Sequence, residues 1–118
     1  HDWETLRGIM ADDVRAEMGE GPLEGPQAVI DLIRRYLERC GVTQHLIGNI
    51  VVSVSGASAT SRAYVRDIHL PADNAPEPFY TLGDYHDRWE LRDGAWRMVE
   101  RIKHNRAHVG SVERAFGF

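Results

Sequence analysis

The sequence predicts an α+β fold, with helices first and a long antiparallel meander after them. Three observations carry that prediction. Helical spacing is confined to the first forty residues, alternation with period two sets in at Thr43, and strong turn signals separate the strand-like segments that follow. The chain has 118 residues, of which 42% are hydrophobic, so it suits one domain and is too short for two ordinary ones.

Trp3, Leu6, Ile9 and Met10 recur at helical spacing and predict a helix over residues 2–11, stopped at Asp12-Asp13, which are expected to face water. Because that helix is expected to be under way from His1 onward, it reads as the remainder of a longer N-terminal helix. Val14 to Met18 suits a short strand, and Gly19-Glu20-Gly21-Pro22 a turn. Pro26 suits the first position of the clearest helix, in which Val29, Ile33, Tyr36, Leu37 and Cys40 share one face. Gly41 is expected to close it as a left-handed cap. Four strands follow, over residues 45–54, 59–70, 79–92 and 95–108. Ser55-Gly56-Ala57-Ser58 and Asp93-Gly94 make the hairpin turns, and Pro71, Pro76 and Pro78 make the residue 71–78 segment a loop. No internal repeat or linker interrupts the series.

Composition excludes several function classes. Fourteen Lys+Arg against 18 Asp+Glu give a net charge of −4 without a basic stripe, which disfavours nucleic acid. No apolar run approaches the roughly 18–20 residues that cross a bilayer, so a cytoplasmic location is expected. Cys40 is the single cysteine, which excludes an internal disulfide and a multi-thiolate zinc site, and at the end of an apolar helix face it reads as a buried structural thiol. Among the six histidines there is no His-x-His pair. His104 and His108 lie four apart in a predicted strand, about 13 Å, so no metal site is expected.

His45 and His69 stand out. Alternation puts His45, Ile47, Asn49, Val51 and Ser53 on one face of their strand. His69 shares a face with Ala63, Val65 and Asp67 on the next, while Arg62, Tyr64 and Arg66 point away. Pairing through the Ser55–Ser58 turn brings both histidines to the far end of the hairpin. There, with Asp67, they could serve as an acid/base pair near neutral pH; the plainer alternative is two strand-end histidines bonded to backbone. A regular ladder from the Asp93-Gly94 turn pairs Trp89 with Met98 and His86 with Arg101. It puts Arg101 on the face opposite Met98, in solvent, unless a bulge re-aims it.

The ordered series Asp2-Trp3-Glu4-Thr5-Leu6, Ala11-Asp12-Asp13-Val14, Gly25-Pro26-Gln27-Ala28-Val29-Ile30, Thr43-Gln44-His45-Leu46-Ile47-Gly48-Asn49, Arg62-Ala63-Tyr64-Val65, Gly83-Asp84-Tyr85-His86-Asp87 and Arg92-Asp93-Gly94-Ala95-Trp96-Arg97, with Arg101, resembles the SnoaL-like domain of the nuclear-transport-factor-2-like superfamily. In pattern it is similar to the scytalone dehydratase, bile acid 7α-dehydratase and hexachlorocyclohexane dehydrochlorinase members. The resemblance implies a cone-shaped α+β barrel with an apolar pocket, a homo-oligomer (dimer or trimer), and a lyase that needs neither cofactor nor metal. It makes His45 the general base, His69 the second pocket histidine and Arg101 a pocket arginine, which requires the bulge. Tyr85, Asp67, Met18 and Asn49 complete the expected substrate-binding set, with Met18 where the scytalone dehydratases have a tyrosine. The aspartate that supports the base in the family falls just upstream of His1. Three functions follow: a dehydratase-like lyase or isomerase on a small apolar cyclic substrate, a non-catalytic ligand-binding or accessory domain, and a polyketide-cyclase-like enzyme with an aspartate base at Asp67 or Asp87.

Overall fold

The computed structural model describes all 118 residues. Elements run α1 (Trp3–Ile9), β1 (Met10–Glu17), β2 (Pro22–Glu24), α2 (Pro26–Leu37), β3 (Thr43–Ser55), β4 (Ser58–His69), β5 (Phe79–Arg92), β6 (Ala95–Val109) and α3 (Val112–Phe116). One six-stranded sheet has the order β2-β1-β6-β5-β4-β3. All neighbours are antiparallel except β1 and β6, which run parallel. The architecture is α+β as expected, but the curved sheet stays open rather than closing into a barrel.

The helices differ from expectation at their ends. Asp2 caps α1 rather than lying within a helix, its carboxylate accepting from the Thr5 backbone N–H at 3.0 Å. The helix stops at Ile9, because Met10, Val14 and Ala16 are buried at strand spacing along β1, with Ala11 also buried at an irregularity in its pairing with β6. Asp12 and Asp13 therefore lie in a strand; both are exposed, and Asp13 pairs with Arg92 at 2.6 Å. In α2 Pro26 does take the first turn, and Val29 and Ile30 pack on β1 with Met10, Val14, Ala16 and Met98. That helix ends at Leu37, short of Cys40, which lies half-buried beside the cluster of Phe79, Ala115 and Phe116. Gly41 is no left-handed cap. A side chain there would meet the Pro71 carbonyl oxygen at 2.4 Å, so glycine is required by a close approach rather than by φ. The short strand β2 and the helix α3 had no period long enough to register in the sequence.

The four long strands lie within two residues of their expected bounds, and those over Phe79–Arg92 coincide. The Asp93-Gly94 turn has both residues at positive φ (51° and 79°), as a two-residue hairpin demands. What alternation could not supply is the bulges. Trp89 pairs with Met98 but Arg88 pairs with Glu100, so Val99 is the extra residue; consecutive Met98 and Val99 are both buried. His86 consequently faces Ile102, and Asp87 faces Arg101. A second bulge in β6 lies beside Gly83, where an added Cβ would come within 2.6 Å of the His104 carbonyl oxygen. Because that atom is backbone, it cannot rotate away. Gly83→Ala is expected to destabilise the protein by about 1–3 kcal/mol, read as a lower midpoint in denaturant unfolding.

Candidate active site

The helices and the inward face of the sheet enclose a cavity of about 690 Å³. Leu6 and Met18 supply apolar wall near β1, Ile33 and Tyr36 the wall from α2, and Phe79 and Phe116 the far end. Its polar floor comes from β3 to β6: His45, Asp67, His69, Thr81, Tyr85, Arg101 and Lys103.

Register puts His45 opposite Asp67 and Thr43 opposite His69, so the two imidazoles meet diagonally across the strand pair. Their Nε2 atoms are 3.4 Å apart, with ring centroids at 5.3 Å and planes at 71°. The far side of the His69 ring packs edge-on to Phe116, at 5.1 Å between centroids. His69 Nδ1 is buried with no hydrogen-bond partner, so Nε2, which meets His45, is the nitrogen a bound molecule can reach. His69 is buried, whereas His45, on the edge strand, keeps part of its ring in solvent; desolvation by the surrounding protein lowers both imidazole pKa values below the ordinary 6.5, most securely that of His69, while the Asp67 charge offsets this in part and the Lys103 charge adds to it. Both rings are therefore neutral at pH 7 and able to accept a proton.

The depressed values carry a consequence for stability. Below pH 6.5 the unfolded chain takes up protons at these positions before the folded chain does. Stability is then fully present above 6.5 and declines as pH falls toward the folded pKa values, by up to about 1.4 kcal/mol per pH unit for the buried His69 and by less for His45, which solvent screens. The expected result is a denaturation midpoint that falls as the pH drops below 6.5, with a shallower fall in His69→Phe.

Asp67 is the most heavily engaged group on the floor. Lys103 Nζ donates to its Oδ2 at 2.5 Å, the Thr81 backbone N–H to Oδ1 at 3.1 Å, and the Thr81 hydroxyl also to Oδ1. Burial alone would raise its pKa, but these donors outweigh it and hold the carboxyl below the ordinary value. Arg101, which simple alternation put in solvent, is turned inward by the Val99 bulge. It donates to Asp87 from Nε and Nη2, at 2.9 and 2.8 Å, and its guanidinium lies 3.8 Å from the Tyr85 ring centroid. Burial raises the Tyr85 pKa, so its hydroxyl remains a donor.

The structure thus brings His45, His69, Arg101, Tyr85, Asp67 and Met18 to one cavity. Asn49 is not among them. A bulge between Gly48 and Val51, with Asn49 at φ 51°, breaks the alternation and puts it on the wall of a separate hollow of about 960 Å³ over the outer face of the sheet. Lys103 was missed, although it lies two residues beyond Arg101 and shares its face; placing the one correctly would have placed the other.

Residues 1–102 match the family model of the SnoaL-like domain. No protein of curated function matches the sequence significantly. Among solved structures, the fold is shared with a protein from Novosphingobium aromaticivorans provisionally named a scytalone dehydratase, at 22% identity and TM-score 0.80, over 97% of this chain and 77% of that one. It is shared equally with a hexachlorocyclohexane dehydrochlorinase (LinA type 2), at 20% identity and TM-score 0.80, over 97% and 78%. A type 3 LinA from Novosphingobium barchaimii gives 20% identity and TM-score 0.79, over 97% and 80%. With its open, curved sheet and a family match that spans most of its length, this chain belongs to the SnoaL-like domain family.

Proposed function

We propose that the protein is a cofactor-independent lyase or isomerase acting on a small, largely apolar, cyclic substrate, with His45 as general base. The observation that carries this reading is the pair of neutral imidazoles whose Nε2 atoms converge on the floor of a cavity with apolar walls, His69 buried and His45 at its open edge. Their 3.4 Å contact is at the outer limit of a hydrogen bond, and a substrate C–H entering between them displaces it at small cost. In the elimination, His45 takes the proton from carbon and the C–H electrons become the new C=C bond. Hydroxide or halide leaves with the electrons of its own bond. Tyr85 and His69 orient the substrate, and Arg101 meets the developing negative charge through Nη1, which Asp87 leaves free. The names borne by the structural neighbours, a dehydratase and dehydrochlorinases, agree with this chemistry.

A binding-only role has one observation in its favour: no carboxylate touches either imidazole, since Asp67 is held by Lys103 and Asp87 by Arg101. A cyclase with an aspartate base is disfavoured by the same contacts, because a carboxylate so engaged is a weak acceptor. The test is a panel of small cyclic alcohols, β-hydroxyketones and halides, followed for elimination and for exchange of carbon-bound hydrogen in deuterium oxide. Turnover abolished by His45→Gln supports the lyase. Saturable binding without exchange or elimination, untouched by that substitution, identifies a binding protein.

We also propose that the chain self-associates through β3. That strand exposes Leu46, Ile47, Ile50, Val51, Val52 and Val54, far more apolar surface than one edge strand of a monomer leaves to water. The expected result is a dimer or trimer by light scattering, which Ile47→Lys/Val52→Lys reduces to monomer. No helix is long and apolar enough to cross a membrane.

A further inference from the structure

We propose that Asp84, His86 and His104 form a binding site for a divalent transition-metal ion of the zinc type, on the outer face of the sheet and separate from the His45 cavity. Asp84 and His86 are two apart on β5 and so share a face, and register puts His104 of β6 directly opposite Asp84. One donor atom from each lies within 4.8 Å of the other two. His86 Nε2 and Asp84 Oδ2 are 2.8 Å apart, close to the roughly 3.3 Å that separates two donors bound to one tetrahedral zinc. The His86 and His104 rings stand nearly perpendicular, with centroids at 4.8 Å, so both can present a nitrogen to one point.

The donor set of two imidazoles and one carboxylate selects ions that accept nitrogen, such as zinc, nickel or cobalt, over calcium or magnesium. Three protein ligands leave at least one position for water or an exogenous group. Arg106 supplies the support that metal-binding carboxylates usually have. It donates to Asp84 Oδ1 at 2.7 Å and to Oδ2 at 3.1 Å, which fixes the carboxylate plane; Oδ2 is the oxygen that faces His86, and an ion bound there takes the place of the Oδ2–His86 hydrogen bond. The Arg106 side chain is 62% exposed, so solvent screens its positive charge from an ion bound beside it. The sequence hides this site because His104 joins the other two only through strand register.

The test is zinc titration calorimetry on untagged protein, first stripped with a chelating resin and kept in its solution oligomer, alongside the absorption spectrum of the cobalt(II) form. The expected result is about one ion per chain with a dissociation constant on the order of 10 µM or tighter. Asp84→Asn, His86→Ala and His104→Ala are each expected to weaken it by at least about tenfold, while His45→Ala leaves it unchanged. Asp84→Asn keeps the shape of the side chain, and the cobalt spectrum of the unsubstituted protein reads ligation without any variant. No saturable binding, binding that survives all three substitutions, or binding abolished by His45→Ala would each overturn the proposal.

Discussion

Replacing His45 with Gln is expected to lower turnover of the eliminated substrate by roughly 10²–10⁴, the usual worth of a positioned general base. Glutamine keeps approximately the reach of the imidazole and one polar contact to His69, so the loss should fall on kcat with KM little changed. The pH profile gives an independent reading. Because desolvation against the cavity floor holds the His45 pKa below 6.5, kcat/KM should already have reached its upper plateau at neutral pH and fall only on the acid side of 6.5. His69→Gln tests the partner: its ring adds a second charge-sensitive neighbour to His45, so the acid limb should move as well as the rate. If turnover survives His45→Gln with an unaltered pH profile, the base lies elsewhere and the converging imidazoles only shape the cavity.

How much of this site the sequence disclosed follows from where alternation holds. On β4 it holds without interruption, and Val65, Asp67 and His69 face inward as period two requires. On β3 it holds from Thr43 to Gly48, which was enough to join His45 to His69 and not enough for Asn49, one residue into a bulge. On β6 it fails at Val99, and the failure reverses the side to which Arg101 and Lys103 point. A bulge costs one residue in a ladder and leaves no compositional mark when that residue is a valine like its neighbours. Only the family resemblance signalled this one. The parallel pairing of β1 with β6 was equally hidden, since nothing within a strand records the direction of a neighbour eighty residues away. Asp84 and His104 illustrate the same limit on the outer face: each is ordinary in its own strand, and the cluster exists only once the strands are paired.

Lys103→Met is expected to have the largest effect on stability, because it removes one partner of an ion pair that water scarcely reaches. The side chains of Lys103 and Asp67 are only 12% and 4% exposed. Removing the ammonium leaves the Asp67 carboxylate desolvated with only the two Thr81 donors, and breaking a buried pair in this way costs about 3–5 kcal/mol. For a chain of this size that is a fall in melting temperature of roughly 10–25 °C. The pH dependence distinguishes this cause from lost packing. In the unsubstituted protein the Asp67 pKa is lowered, so its contribution is present above pH 3.8 and lost as pH falls through the folded value. In Lys103→Met burial is no longer outweighed and the folded pKa rises. The folded state then binds the proton more readily than the unfolded one, and the deficit narrows as the solution is acidified. A simple cavity would show no such recovery. Lys103→Met/Asp67→Asn should regain much of the loss at neutral pH, since no charge remains to be stranded. The same two substitutions bear on catalysis in opposite directions. The ammonium lowers and the carboxylate raises the His45 pKa, so Lys103→Met alone should move the acid limb of kcat/KM toward higher pH, and the double substitution should move it part of the way back. A melting temperature unaltered by Lys103→Met would mean that the pair is solvated, and that the floor of the cavity is wetter than its burial indicates.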